Sequence, residues 1–219
     1  MTKIKVSAFR WVPPFAQGLV RDLRVRWALE EAGLAYEERQ LGLGEHKSER
    51  YRQHQPFGQI PTYEEDGLVL FESGAIVMHI AQRSETLLPL DPSARARATT
   101  WMFAALNTVE PPIMFLTQID QQQSDDESAK YWREGVVGAV KDRLAGLAEW
   151  LGGRDYLEDK FTAGDLLMTT VLRILRRGDL VRQIPSLEAY QARCEARPGF
   201  QRALAAQMAT FAGNSPPQD

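Results

Sequence analysis

The chain has 219 residues, of which 44% are hydrophobic and 25% charged, the composition of an ordinary soluble globular protein. This length accommodates one large domain or two small ones. The formal net charge of −3 gives no reason to expect nucleic acid or an acidic membrane as a partner. No apolar run approaches the roughly 18 residues of a membrane span.

The first nine residues predict a strand, because Ile4, Val6 and Ala8 alternate with polar residues. This segment lacks the apolar core of a signal peptide. The sequence holds one cysteine, Cys194, which excludes an internal disulfide bond and any pair of redox-active cysteines. We therefore expect a reducing, cytoplasmic setting.

The rest of the first half alternates between helical and extended patterns. Gly33 stands where a glycine ends a helix, and Asp66-Gly67 between two β-rich stretches is a strong hairpin signal. In chain order the predicted elements are a loop at 11–18, a helix at 19–32, a strand at 36–41, a short irregular helix within 42–58, strands on both sides of 66–67, and a helix at 73–83. This order implies a mixed sheet with helices packed on it.

The second half is predicted to be helical. Pro89 and Pro92 end the preceding helix and mark residues 85–91 as a linker. The predicted elements are a helix at 94–110 that Pro111-Pro112 interrupts, an apolar continuation to 119, a polar break at 121–126, an amphipathic helix at 137–151, and a last helix at about 200–211. The tail, 213–219, is predicted to be disordered.

One helix start in this half is explicit in the segment FTAGD. Thr162 can accept a hydrogen bond from the N–H of Asp165, whose carboxylate can reach back to Thr162. Phe161 and Leu166 flank this pair as a hydrophobic staple. We interpret the segment as a capping box that serves folding rather than catalysis.

Residues 53–76, QHQPFGQIPTYEEDGLVLFESGAI, contain the features most specific for a binding site. Ser73 is a candidate N-cap, so the backbone N–H groups just after it are suited to a small carboxylate. The strand that follows Ile60-Pro61 can offer backbone groups to an extended peptide. Together these features predict a pocket for a short peptide-like anion.

The stretch QPFGQIPTYEEDGLVLFESGAI resembles the thioredoxin-like half of a cytosolic glutathione transferase, and FTAGD resembles the capping box in the helical half of that superfamily. The resemblance covers most of the chain. It implies an α/β thioredoxin-like N-terminal domain over 1–84 and an all-α helical domain over 92–212. It also implies a homodimer that pairs the sheet domain of one subunit with the helical domain of the other.

The resemblance further implies that glutathione binds as co-substrate. In the family the proline is cis, the residue before it pairs with the cysteinyl backbone of glutathione, and Glu-Ser grips the γ-glutamyl end. The implied glutathione-binding residues are Gln59, Ile60, Pro61, Glu72, Ser73 and, near the glycyl carboxylate, Lys47.

A glutathione thiol is nucleophilic only when ionised, and an unperturbed thiol has a pKa of about 8.5. Family members usually supply Tyr, Ser or Cys between the first strand and first helix. In this chain the tyrosine position falls near Phe15, and the serine and cysteine positions fall near Val20 and Arg21. The chain is thus identified as a bacterial member without the usual catalytic residue. We predict that N–H groups at the start of the first helix stabilise the thiolate, with Arg21 and Gln17 as donors and Phe15 as an apolar wall.

The resemblance places the electrophile pocket against the first helix of the helical domain and the loop after the first strand. The predicted pocket residues are Trp11, Trp101, Phe103 and Asn107. His46, His54 and His79 have no metal-ligand spacing, so no metal is expected. The expected partners are glutathione and a small hydrophobic electrophile, with neither nucleic acid nor membrane.

Three classes of function remain open at this point. The first is a glutathione transferase that attacks a hydrophobic electrophile, and the second is a non-catalytic, transferase-like binding protein. The third is a glutathione-dependent thiol reductase or peroxidase. The first loop contains no cysteine, which argues against a reductase because that chemistry needs a protein thiolate for the mixed disulfide.

Overall fold

The structure, a computed structural model, describes residues 3–122 and 126–216. The chain forms two compact units, one from residues 1–88 together with 196–219 and the other from 89–195. The C-terminal helix therefore belongs to the first unit, whereas the sequence-based division assigned it to the helical domain. Residues 123–125 and 217–219, part of the predicted polar break and tail, lie outside the described residues.

The first unit is built on a four-stranded sheet with the order β2-β1-β3-β4. β1 and β2 are parallel, and the pairs β1–β3 and β3–β4 are antiparallel. The strands are β1 (Ile4–Phe9), β2 (Tyr36–Leu41), β3 (Thr62–Glu65) and β4 (Leu68–Phe71). The predicted mixed sheet is thereby confirmed.

The β3–β4 hairpin turns at Asp66 and Gly67, whose φ angles are 50° and 83°. Positive φ at both central residues is the requirement of a type I′ turn, which matches the twist of the strands. Helix α3 (Ser73–Ala81) follows β4 directly. The hairpin therefore delivers the chain to the start of α3 at the edge of the sheet.

Helix α1 (Asp22–Ala32) starts three residues later than predicted. Turns occupy the preceding segment, because the N–H of Ala16 donates to Pro13 O and the N–H of Leu19 donates to Ala16 O. Gly33 has φ 66° and ends the helix as predicted. A 3₁₀ turn (Glu45–Lys47) and the short helix α2 (Glu49–Arg52) form the predicted irregular helical segment.

Helix α9 (Pro198–Ala212) packs against α1 within the first unit. The rings of Trp27 and Phe200 meet edge to face at 4.9 Å. Gln207 Nε2 donates to the buried carboxylate of Asp22 at 2.7 Å. Asp22 also pairs with Arg26 at 2.6 Å, so α9 supplies a hydrogen bond to an ion pair that has no access to water.

The second unit is helical, as predicted. Its helices are α4 (Pro92–Ala104), α5 (Glu110–Gln122), α6 (Glu127–Leu151), α7 (Ala163–Leu172) and α8 (Pro185–Glu195). The capping box at the start of α7 is confirmed, with both reciprocal bonds between Thr162 and Asp165 present. Asp165 is fully buried and also accepts bonds from Leu157 N–H and the Tyr190 hydroxyl.

The predicted interruption at Pro111-Pro112 was wrong, because the chain stays helical from α4 into α5. A π-helical segment, Ala105–Val109, joins the two helices, and the N–H of Glu110 donates to Ala105 O. The two prolines follow this π segment directly, so their rings, which carry no N–H, fall where the helix already departs from the regular α-helical hydrogen-bond pattern. No helix of the described residues is long and apolar enough to cross a membrane.

Candidate functional site

The segment that leads into β3 presents free backbone groups. The Ile60-Pro61 bond is cis, as the resemblance implied. Among the described residues, no hydrogen bond reaches the N–H or C=O of Ile60. Gln59 is exposed beside it. An extended ligand backbone can therefore pair with Ile60 as an added strand would.

The start of α3 presents a second set of backbone donors. The N-cap is Glu72, with φ 67° and ψ 112° and no side-chain cap, so the expectation that Ser73 is the N-cap was wrong. Ser73 is instead the first helical residue, buried, and its Oγ accepts from Arg24 Nη1 at 3.3 Å. Within the described residues, the N–H groups of Ser73, Gly74 and Ala75 have no protein acceptor, which suits a carboxylate.

The 3₁₀ turn brings His46 and Lys47 next to the same segment. A Cβ built at Gly58 would lie 2.8 Å from His46 O and 3.1 Å from Lys47 Cδ, so only glycine fits there. The His46 ring meets Phe9 edge to face at 4.9 Å, and its buried Nδ1 has no hydrogen-bond partner among the residues that the structure describes. Burial and the Lys47 charge lower the pKa of His46. Sequence reasoning considered His46 only as a metal ligand, although the resemblance had already assigned its neighbour Lys47 to the glycyl carboxylate.

The loop before α1 holds the three residues predicted to activate the thiol. Gln17 donates its side-chain amide to Val12 O at 3.1 Å, so it braces the loop. Arg21 occupies the N-cap position of α1 without a side-chain cap bond, and Phe15 is 45% exposed. The N–H of Leu19, one of the donors expected at this helix start, is occupied by Ala16 O.

The predicted electrophile residues are divided between the two units. Trp11 is half-buried in the first unit. In the second unit, Trp101 packs against Trp150 at 5.2 Å and donates to Glu158, so its ring belongs to the helical packing. Phe103 and Asn107 are exposed four residues apart, where the α-helix passes into the π segment.

The first unit thus contains the available backbone groups of Ile60, the N-terminus of α3 and the side chain of Lys47. These groups can hold a peptide with carboxylates at its ends. Among the described residues, no group of three or more His, Cys, Asp or Glu side chains is arranged to hold a metal.

The thioredoxin-like sheet followed by a helical unit defines the class of fold, and comparison with known proteins defines the family. Residues 17–82 match the family model of the glutathione S-transferase N-terminal domain. A glutathione S-transferase of Hyoscyamus muticus is 30% identical over 201 residues, which span 83% of this chain and 92% of that protein. Glutathione S-transferase 4 of Zea mays is 27% identical, with 88% and 89% covered. The chain belongs to the glutathione S-transferase family.

Solved structures agree with the fold. Glutathione transferase F7 of Populus trichocarpa superposes with a TM-score of 0.78 at 25% identity, covering 94% of this chain and 99% of that one. A glutathione transferase of Pseudomonas putida, solved with one glutathione disulfide bound per subunit, superposes with a TM-score of 0.80 at 23% identity, covering 92% and 90%.

Proposed function

We propose that the first unit binds glutathione through the backbone of Ile60 and the start of α3. The observation that carries this proposal is the unpaired N–H and C=O of Ile60, next to a helix N-terminus whose donors are unpaired among the described residues. The cysteinyl backbone of glutathione pairs with Ile60, beside Pro61 and Gln59. The γ-glutamyl carboxylate accepts from the N–H groups at Ser73, and the carboxylate of Glu72 faces the γ-glutamyl ammonium.

The glycyl carboxylate is assigned to Lys47, with His46 as a neighbour. Lys47 is exposed, and its aliphatic chain lies along Gly58. Its ammonium can therefore reach the glycyl end of a ligand that extends past Gln59. A lysine interacts with a carboxylate as a compact point charge. The glutathione bound by the structural neighbours that share this fold supports the choice of ligand.

Titration calorimetry with reduced glutathione tests the binding site. A hydrogen bond to a charged group is worth about 1.5–3 kcal/mol, so Glu72→Ala should weaken binding by about tenfold or more. Glu85→Ala removes an exposed acid beyond the other end of α3 and should bind as the wild type does. Equal affinities of wild type and Glu72→Ala would end the assignment.

The proposed reaction is attack of the bound thiolate on a small hydrophobic electrophile. Arg21, at the N-terminus of α1, supplies a positive charge there, Phe15 excludes water, and Gln17 holds the loop. A charge-assisted contact is worth about 1.5–3 kcal/mol, or one to two pKa units at about 1.4 kcal/mol per unit. We place the electrophile beside Trp11, in the loop that precedes α1.

Ultraviolet absorbance of the thiolate measures the pKa of bound glutathione and tests the activating group. Arg21→Ala should raise this pKa by about one unit and lower the turnover number with an aryl halide. Lys5→Ala removes an exposed cation from β1 and serves as the matched control. If Arg21→Ala changes neither the pKa nor the turnover number, while Gln17→Ala raises the pKa and abolishes turnover, the activating residue is Gln17.

A non-catalytic glutathione-binding protein is the second candidate. The observation that favours it is the loop before α1, which contains no tyrosine, serine or cysteine. Wild-type protein that binds glutathione without lowering the pKa of its thiol would establish this alternative. A hydroxyethyl-disulfide assay tests the thiol reductase.

A further inference from the structure

Two buried hydroxyl groups lie beneath the segment that carries Ile60. Ser7 belongs to β1 and Tyr51 to α2, and each is 1% exposed. The Tyr51 ring belongs to an apolar cluster with Leu41 and Ile60, against which Phe9 packs, and a buried hydroxyl without a partner is costly there.

The hydroxyls form a hydrogen-bonded chain whose direction is fixed by its two ends. Thr62 N–H donates to Ser7 Oγ at 2.6 Å, and the Tyr51 hydroxyl donates to Gln59 C=O at 2.8 Å. Ser7 Oγ and Tyr51 Oη are 2.8 Å apart. Because a carbonyl only accepts and a tyrosine has one proton, Ser7 must donate to Tyr51. Burial raises the pKa of Tyr51, which keeps its proton in place.

The chain secures the backbone on both sides of Ile60-Pro61. Gln59 C=O and Thr62 N–H are drawn inward, whereas the N–H and C=O of Ile60 between them have no partner among the described residues. The two hydroxyls thus hold the ends of a segment whose middle is available to a ligand backbone.

We propose that Ser7 and Tyr51 are positioning residues for glutathione, which fix the backbone of Ile60 in the conformation that pairs with the ligand. Neither hydroxyl touches the ligand. This inference rests on the proposed function, because it concerns the residues that hold the same glutathione-binding segment in place. Without the chain, the segment samples other conformations, and the apparent affinity falls by the fraction of molecules that remain competent.

Tyr51→Phe is the direct test, because it removes the hydroxyl and keeps the buried ring. Calorimetry with reduced glutathione on the full chain should show binding weakened by about fivefold or more, because the buried Ser7 hydroxyl and the Gln59 carbonyl both lose their partner. In steady-state assays with an aryl halide, KM for glutathione should rise. The turnover number at saturating glutathione and KM for the aryl halide should not change. Tyr63→Phe is the matched control, since the Tyr63 hydroxyl bonds to Glu65, away from this segment.

Ser7→Ala interrupts the same chain at its other hydroxyl and supplies an independent test. Its loss of affinity should resemble that of Tyr51→Phe, and the double variant should lose less than the sum of both. Circular dichroism and thermal unfolding establish that the variants are folded.

The possible results are distinguishable. Folded variants that bind glutathione with wild-type affinity would overturn the inference, as would a lowered turnover number with an unchanged KM for glutathione. If both variants fail to fold, the hydroxyls serve the fold and the inference is wrong. Wild-type protein that does not bind glutathione refutes the proposed function, and the inference with it.

Discussion

At the scale of single residues, Glu72 has the least favourable backbone of the candidate site. Its φ of 67° with ψ of 112° lies outside the small left-handed region that residues with a Cβ tolerate. Such a conformation costs about 1–3 kcal/mol and persists when the surroundings enforce it. Here β4 ends immediately before Glu72 and α3 begins immediately after it, so this residue absorbs the whole change of direction.

We expect Glu72→Gly to raise the free energy of unfolding by about 1 kcal/mol, because glycine adopts positive φ without a Cβ penalty. The same substitution removes the carboxylate proposed to face the ligand, so glutathione binding should weaken. Urea denaturation and calorimetry on the same samples measure both effects.

Asp66→Gly is the matched control for this trade-off. Asp66 also has positive φ, 50°, but it lies in the hairpin turn. This variant should gain stability and keep its glutathione affinity. A Glu72→Gly variant that is less stable than wild type contradicts the proposed strain.

Residue types predicted some of these backbone conformations and missed others. Gly33 and Asp66-Gly67 have positive φ, as their residue types predict, because Gly and Asp tolerate this conformation in turns. Glu72 gives no such signal, because its conformation is imposed by the elements on both sides. The contact between Ser7 and Tyr51 joins residues 44 apart and depends on where α2 packs, which local pattern cannot indicate.

At the scale of elements, Glu65 ties the hairpin to the end of α3. The hydroxyl of Tyr63 and the guanidinium of Arg83 both donate to its carboxylate. The Tyr63 hydrogen bond, followed by the Arg83 interactions, lowers the pKa of Glu65 below its ordinary value of 4.5. This carboxylate therefore stabilises the fold while it is ionised.

The sign of the pH dependence follows from the lowered pKa. In the unfolded chain Glu65 takes up its proton near pH 4.5, and in the folded chain it does so at a lower pH. Its contribution is complete above about pH 4.5 and is lost as the pH falls through the folded-state pKa. As the pH decreases below about 4.5, the free energy of unfolding should therefore decrease less for Glu65→Gln than for the wild type.

Denaturation by urea at a series of pH values from neutral to acidic measures this slope. Glu85→Gln, an exposed residue after α3, should show the same slope as the wild type. Parallel curves for wild type and Glu65→Gln would contradict the assigned stabilisation.

Elements were predictable where hydrophobic periodicity or capping residues mark them. Strand β1 and the capping box of α7 match the prediction because the alternation of Ile4, Val6 and Ala8 and the Thr162–Asp165 pair are local signals. The continuation of helix through Pro111-Pro112 was not predictable, because the π segment that accommodates the prolines has no residue-type signature.

At the scale of the whole molecule, the first unit exposes an apolar patch at the free edge of its sheet. Phe57 is 64% exposed, and its ring lies 6.2 Å from that of Phe71. Val69 shares the face of Phe71 on β4, because side chains alternate along a strand, and it is 37% exposed. An exposed apolar edge of this kind suits an interface.

We propose that the chain forms a homodimer and that this patch contributes to its interface. Light scattering should give a dimer for the wild type at micromolar concentration, and Phe57→Ser should shift it to monomer. Leu43→Ser is the control, since Leu43 is 44% exposed and lies outside this patch. A monomeric wild type refutes the dimer, and a dimeric Phe57→Ser variant removes the patch from the interface.

The return of α9 to the first unit has a consequence for the order of events during synthesis. The first unit lacks Phe200 and the amide of Gln207 until the chain has grown by more than a hundred residues beyond β4. At about 5–20 residues per second, that interval lasts on the order of 6–26 s. For this time Trp27 and the carboxylate of Asp22 lack contacts that bury them in the finished protein. We therefore expect the face of α1 that carries these groups to stay exposed until the last helix emerges, so the first unit completes its packing only after its C-terminal helix has been synthesised.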